Sequence, residues 1–161
     1  MVNGVTTTRY RWFTEVSLVF CGVMLFATLP ALATQLSNFE WQKRPLLIFA
    51  PNHHDDRLQK ITDHLRQKRC DLDDRDMIIG IIVKQGRSSL DDLTLSPQNA
   101  AAMRGNYRIN NDQFAVLLIG KDGGEKYRLY DIPDLDEIFV MIDGMPMRQD
   151  EMQDNPVDCS K

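Results

Sequence analysis

Two adjacent histidines followed by two aspartates are the most suggestive reactive group in this sequence: His53, His54, Asp55 and Asp56. Imidazole and carboxylate groups are suitable ligands for a divalent metal, and a histidine also suits general acid-base chemistry. Neighbouring residues, however, rarely point at one ion, and an aspartate before a helix is a common N-cap. We therefore expect a capping aspartate with solvated histidines and no metal site. A histidine-dependent reaction here is the alternative.

The N-terminal segment has the layout of a secretory signal peptide. Arg9 and Arg11 precede an apolar run over residues 16–29, which is followed by a small-x-small ending at Ala33. A membrane-spanning helix needs about 20 apolar residues, so cleavage is favoured over a retained anchor. We expect residues 1–33 to be removed on export to the periplasm or the extracellular space, with no membrane contact afterwards.

Cleavage would change the cysteine chemistry of the chain. Cys21 would leave with the signal peptide, and Cys70 and Cys159 would enter a compartment that permits disulfides. These two residues could form one bridge. Intermolecular pairing and two free thiols are the alternatives, because the sequence does not show whether the sulfurs meet. Cys70 is also the candidate for thiol chemistry.

Composition and charge exclude several classes of protein. The chain has 161 residues, of which 43% are hydrophobic and 26% charged, as in one ordinary globular domain. Its 19 basic and 23 acidic residues give a net charge of -4, the wrong sign for a nucleic-acid binder. No spacing among the cysteines and histidines matches a zinc finger. We expect a domain over residues 34–152, a flexible polar tail over 153–161, no cofactor and no nucleic-acid partner.

Apolar runs and turn signals predict the order of elements that must position these side chains. Continuous apolar runs indicate buried strands over 45–50, 77–83 and 114–119. A fourth strand over 125–130 follows an Asp-Gly turn, which predicts a hairpin. Helical spacing and caps predict helices over about 56–68, 96–105 and 134–144. Residues 71–76 are expected to form a solvated acidic loop, and a polar loop should precede Ser96.

The resulting order, β-α-β-α-β-β-α, resembles the thioredoxin fold, an α/β fold with a central mixed four-stranded sheet flanked by helices. Three segments resemble the domain-of-unknown-function family 4174: Trp41 to Pro51, Leu117 to Gly124, and Ile142 to Met152. Relatives in that family are small exported bacterial proteins and thioredoxin-like domains of secreted animal proteins. The resemblance implies a thioredoxin-like domain without a known activity.

The chain departs from thioredoxin where thioredoxins carry a Cys-x-x-Cys pair, because residues 52–55 contain no cysteine. Dithiol exchange needs a low-pKa thiolate at a helix N-terminus and a second thiol within reach. Cys70 lies beyond the other end of that helix, where the dipole disfavours a thiolate. We therefore expect a non-redox binding or interaction module. The alternative is a thiol- or histidine-dependent enzyme, such as a peroxide- or thiol-linked oxidoreductase, that uses Cys70 or His53 and His54.

Two cations in the family-like segments, Lys121 and Arg148, are candidate anchors for an acidic ligand or partner. Met145, Pro146 and Met147 lie beside Arg148 and are expected to pack against the sheet edge. Alternatively, the two flexible thioethers form an adaptable apolar contact surface. The sequence does not distinguish a protein partner from a small molecule, and it does not predict the oligomeric state.

Overall fold

The computed structural model describes residues 36–154 together with Met1, Val157 and Cys159, so the predicted signal peptide lies outside the described residues apart from Met1. No helix within this described part is long and apolar enough to cross a membrane. The strands are β1 (Arg44–Asn52), β2 (Met77–Gln85), β3 (Ser88–Leu90), β4 (Leu93–Leu95), β5 (Ala115–Ile119) and β6 (Glu125–Leu129). The helices are α1 (Asp56–Gln67), α2 (Arg69–Asp74), α3 (Pro97–Asn106), α4 (Leu135–Asp143) and α5 (Pro146–Asp154).

The strands form one mixed sheet in the order β4-β3-β2-β1-β5-β6. β1 runs parallel to β2 and antiparallel to β5, which forms a hairpin with β6. These are the four strands predicted from the sequence. The predicted strand count was nevertheless too low, because β3 and β4 add a hairpin where we expected a polar loop. Each is only three residues long, too short for an alternating pattern, although Leu90 and Leu95 are buried.

The hydrophobic core lies on both faces of β1, which explains its unbroken apolar sequence. Leu46 and Ile48 face one core cluster, which α1 and α4 cover with residues such as Ile61 and Ile138. Leu47 and Phe49 face the other cluster, which contains residues of α3 and of the β3–β4 hairpin. The helices and the hairpin thus cover both faces of β1.

The predicted helix starts are confirmed. Asp55 caps α1, the Ser96 hydroxyl accepts from the Asn99 N–H at 3.1 Å, and the Asp134 carboxylate caps α4. α4 ends at Gly144 as expected. α3, however, continues through Gly105 to Asn106 instead of stopping at the glycine.

Two segments differ from the prediction. Residues 71–74, expected in a solvated acidic loop, belong to α2, because burial of Leu72 fixes one face of this short helix against the core. Pro146 follows the end of α4 but also begins a further helix, α5, since a first helical residue needs no N–H partner. α5 includes residues 153 and 154, which were assigned to the polar tail.

Candidate functional site

The turn Asn52–Asp55 lies at the carboxyl end of β1, and Gln85–Arg87 lies beside it at the end of β2; we call this region the carboxyl end of the sheet. The Asp55 carboxylate accepts from the Arg57 N–H at 2.9 Å and pairs with the Arg57 guanidinium at 2.7 Å. These contacts lower the pKa of Asp55, with the Arg57 side-chain hydrogen bond as the largest cause. Asp55 is therefore occupied by capping and ion pairing.

The two histidines of this turn have different surroundings. His53 Nε2 lies 2.8 Å from the carbonyl oxygen of Arg87, which ties the turn to the end of β2. The ring also packs against Gly86, where a Cβ would approach it to 2.8 Å. His54 is exposed, and its backbone N–H donates to the Asn52 side chain. Among the described residues, no group of three histidine, cysteine, aspartate or glutamate side chains is arranged to hold a metal ion.

The cysteines lie away from this turn. Cys70 is in α2, beyond the C-terminal end of α1, and it forms a disulfide with Cys159 across a Cα–Cα distance of 5.6 Å. α1 has 12 residues, which corresponds to about 18 Å of helix between the turn and α2. The carboxyl end of the sheet therefore has no thiol among the described residues.

The opposite end of the sheet, where β1 begins, contains a buried ion-pair network; we call this region the amino end. Arg44, the first residue of β1, is only 2% exposed and donates to both Glu151 carboxylate oxygens at 3.0 Å. The Lys121 ammonium bridges Glu151 at 2.7 Å and Asp76 at 2.9 Å. The network thus joins β1 and the β5–β6 turn to the start of β2 and to α5.

Arg148 extends the same network toward α4. It is 3% exposed, pairs with the Asp74 carboxylate, and contacts Asp143 at 3.3 Å. Arg75 contacts Asp143 at 2.6 Å from the other side. The sequence singled out Arg148 and Lys121 as anchors for an acidic ligand. In the structure both are buried and paired with internal carboxylates, so an external acidic group would have to displace one of them.

The network holds its carboxylates in the ionised form. Burial raises the pKa of Asp76, but hydrogen bonds from Lys121 and Lys43 outweigh this and leave it below its ordinary value. The same balance applies to Glu151. Burial raises its pKa, but hydrogen bonds from Arg44 and Lys121 outweigh burial and leave the pKa below its ordinary value. Both carboxylates therefore stay charged at neutral pH and keep the network intact.

An apolar groove lies on the surface of the amino end. The groove has a volume of about 430 Å³, and its lining includes Trp41, Lys121, Lys126, Met145 and Met147. The Trp41 side chain is 66% exposed. Its backbone has a φ of 63°, and its N–H donates to the Lys121 carbonyl at 2.6 Å. The three segments behind the family resemblance thus meet at one groove.

Sequence reasoning missed several residues that the structure makes central. No role was assigned to Arg44, Glu151 or Arg104 from the sequence. Arg44 and Arg104 are among the most buried side chains described. The sequence indicated the burial of Arg44 only by its position, since Arg44 directly precedes the apolar run over residues 45–50, which predicts a strand buried on both faces.

The comparisons with known proteins identify a family and a fold. A family model described as "Domain of unknown function (DUF4174)" matches residues 35–151. Coiled-coil domain-containing protein 80 from Danio rerio is 30% identical over 136 residues, which is 73% of this chain but only 15% of that protein. This chain therefore corresponds to a small part of that relative.

Two solved peroxiredoxins have a similar structure. The mitochondrial 2-Cys peroxiredoxin of Plasmodium falciparum has a TM-score of 0.53 at 15% identity, over 77% of this chain and 85% of that chain. The reduced 2-Cys peroxiredoxin of Plasmodium vivax has a TM-score of 0.54 at 17% identity, over 71% and 84%. Identities this low show the fold alone. The predicted thioredoxin-like fold class is thereby confirmed.

Proposed function

The chain belongs to the DUF4174 family, and we propose that it is an exported thioredoxin-like domain that acts by binding a partner and not by dithiol exchange. One observation carries this proposal. The turn Asn52–Asp55, which replaces the thioredoxin dithiol, has no thiol near it among the described residues, and Cys70 is already bonded to Cys159. Histidine-dependent chemistry is disfavoured at His53, because its Nε2 already contacts the Arg87 carbonyl oxygen.

The apolar groove at the amino end is the proposed binding surface. A large aromatic side chain with a left-handed backbone conformation is costly, and Trp41 does not offset that cost by burial. Met147 is also 38% exposed, and methionine adapts its shape to a partner. These properties suit a groove that takes an apolar side chain from a protein segment.

The buried network supports this proposal by making the groove rigid. Arg44 and Lys121 line the groove and are held by Glu151. A binding surface built on fixed side chains loses less conformational freedom when a partner binds. Lys126 also lines the groove and pairs with Asp122 at an exposed position, so a carboxylate of the partner can take the place of Asp122 there.

The binding proposal is tested by panning a displayed peptide library on the mature protein, with counter-selection on a Trp41→Ala variant. We expect enriched peptides with an apolar residue near an acidic one. Signal cleavage would leave Trp41 as the only tryptophan of the mature protein. The fluorescence emission of Trp41 should therefore shift to shorter wavelength when the enriched peptides bind. Val140→Ala, which changes a residue that is 73% exposed outside the groove, should bind normally. Equal enrichment on the Trp41→Ala variant would contradict the proposal.

The alternative, a thiol- or histidine-dependent enzyme, is suggested by the similarity to peroxiredoxins in fold. It is tested by insulin reduction and hydrogen peroxide consumption with dithiothreitol as reductant. We expect background rates for the wild type, for Cys70→Ser with Cys159→Ser, and for His53→Ala with His54→Ala. A wild-type rate that only the cysteine variant loses would support thiol chemistry instead, and one that only the histidine variant loses would support the histidines.

A further inference from the structure

Four cations are buried in the described part of the chain, and one of them differs from the others. Arg44, Lys121 and Arg148 all pair with carboxylates. Arg104, in α3, is 3% exposed; its guanidinium donates hydrogen bonds to backbone carbonyls alone and lies 5.7 Å from the centre of the Phe49 ring. Arg104 therefore has a buried positive charge without a carboxylate partner.

The contacts of Arg104 place it at the carboxyl end of the sheet. It donates to the carbonyl oxygens of Asn110 and Ile82, both at 2.9 Å, and to that of Ala50. Its Nε is buried and has no hydrogen-bond partner. Arg75 also has an unpaired Nε, but that guanidinium pairs with Asp143. Neutral carbonyls leave the unit charge of Arg104 uncompensated, which is costly in a buried site.

Arg104 is one of the residues that line a small cavity. Its volume is about 90 Å³, and its polar lining includes Lys84, Ser88, Arg104 and Asn111. One water occupies about 30 Å³ in the liquid, so the cavity has room for a few atoms and not for a nucleotide or a peptide. Its other walls include Pro97, at the N-terminus of α3, where the helix dipole favours negative charge.

The polar groups around the cavity are not equally free. The Ser88 hydroxyl is bonded to the backbone of Val83. The Lys84 ammonium has only a 3.5 Å contact with Asp112, whose side chain is 89% exposed. Burial lowers the pKa of Arg104, and the more distant Asp112 is its only opposing influence. Lys84 and Arg104 therefore make a positively charged cavity.

We propose that this cavity binds a small oxyanion, such as inorganic phosphate, sulfate or a simple carboxylate. Arg104 supplies the buried counter-charge, and Lys84 and Asn111 contact the anion at the rim. The site is separate from the groove at Trp41, so this proposal is independent of the binding function proposed above.

The proposal is tested by titrating phosphate, sulfate and acetate into the mature protein at constant ionic strength and following amide NMR signals. We expect saturable shifts confined to residues 84–88, 97–104 and 111 with at least one of these anions. Saturable shifts with phosphate or sulfate but not with acetate would assign the site to tetrahedral oxyanions. Saturable shifts with acetate alone would assign it to carboxylates. No saturable shift with any of them, or shifts centred on Arg44 and Lys121, would overturn the proposal.

Matched variants separate the site from general anion effects. Lys84→Met should weaken binding about five-fold, the effect expected for one exposed charge near the anion, and Lys60→Met should leave it unchanged, because Lys60 is an exposed lysine on α1. If both variants bind equally well, the proposal is wrong. Arg104→Met should abolish binding. If that variant does not fold, the comparison between Lys84→Met and Lys60→Met still decides the outcome.

Discussion

The buried cations at the two ends of the sheet have different partners. At the amino end, Arg44 and Lys121 meet the carboxylates of Asp76 and Glu151. At the carboxyl end, Arg104 meets backbone carbonyls and the Phe49 ring, without a carboxylate, beside a cavity. The difference indicates that the amino end is a structural clamp whose charges are satisfied internally, whereas the carboxyl end keeps a charge for a ligand. Substitutions at the amino end should therefore lower the stability of the fold, whereas substitutions at the carboxyl end should weaken anion binding.

The largest effect is expected from the disulfide, which connects α2 at the amino end to the segment after α5. The two cysteines are 89 residues apart, and the chain-entropy model gives about 4 to 5 kcal/mol for a loop of that length. Cys70→Ser with Cys159→Ser should lower the free energy of unfolding by about that amount, measured by urea titration.

Reductant is the control for this prediction. The wild type in reductant should unfold like the double variant, and the double variant should not respond to reductant. Anion binding at the carboxyl end should be unchanged at temperatures where the variant is folded. A loss of stability below about 1 kcal/mol would contradict the prediction that this bridge constrains the chain.

A smaller but still large effect is expected from the clamp itself. Arg44→Met removes one partner of a buried pair, which typically costs about 3 to 5 kcal/mol. Because Glu151 keeps its contact with Lys121, we expect a value near the lower end. Lys43→Met is the matched control, since the Lys43 ammonium pairs with Asp76 at a surface where both side chains are about 40% exposed. Such a pair is worth about 1 kcal/mol or less. Similar losses for both variants would contradict the clamp.

The stability that the carboxylates of the amino end contribute should depend on pH. Asp76 and Glu151 have pKa values below their ordinary 3.8 and 4.5. A carboxylate whose pKa is lower in the folded state contributes stability that is fully present above the unfolded pKa, and that stability is lost as pH falls through the folded pKa. The wild type should therefore lose stability below about pH 4.

Lys121→Met isolates the part of this dependence that comes from the clamp. Without the ammonium, the pKa values of Asp76 and Glu151 should move back toward their ordinary values, and the stability of the variant should change less between pH 5 and acid. Urea titrations across this range measure the slope. A variant with the wild-type slope would show that other carboxylates dominate acid unfolding.

The fold was largely predictable because its central strands are buried on both faces. Unbroken apolar runs such as residues 45–50 are typical of strands in the middle of a sheet, and caps such as Asp55 and Ser96 marked the helix starts. The short hairpin of β3 and β4 was missed because strands of three residues are too short to show an alternating pattern, and they are defined by the pairing of β3 with β2 and of β4 with β3.

The candidate sites were less predictable, because burial of a charge is a property of the assembled fold. Nothing around Arg104 in the sequence distinguishes it from the exposed Arg108 a few residues later. Arg44 and Glu151 are 107 residues apart and meet only when α5 docks against the start of β1. Trp41 was noticed through the family resemblance alone, and its exposure and left-handed backbone were visible only in the structure.

The smallest effect on stability is expected at Trp41, although it lines the same groove as Arg44 and Lys121 of the clamp. Its φ of 63° costs a residue with a side chain about 1 to 2 kcal/mol, a cost that glycine avoids. Trp41→Gly should therefore be more stable than Trp41→Ala by about 1 kcal/mol, and close to the wild type because the lost indole contacts are few. Urea titration measures both. Trp41→Gly should nevertheless lose peptide binding, since a residue kept for recognition need not stabilise the fold. If both variants are instead much less stable than the wild type, Trp41 serves packing, and the amino end is a clamp without a binding surface.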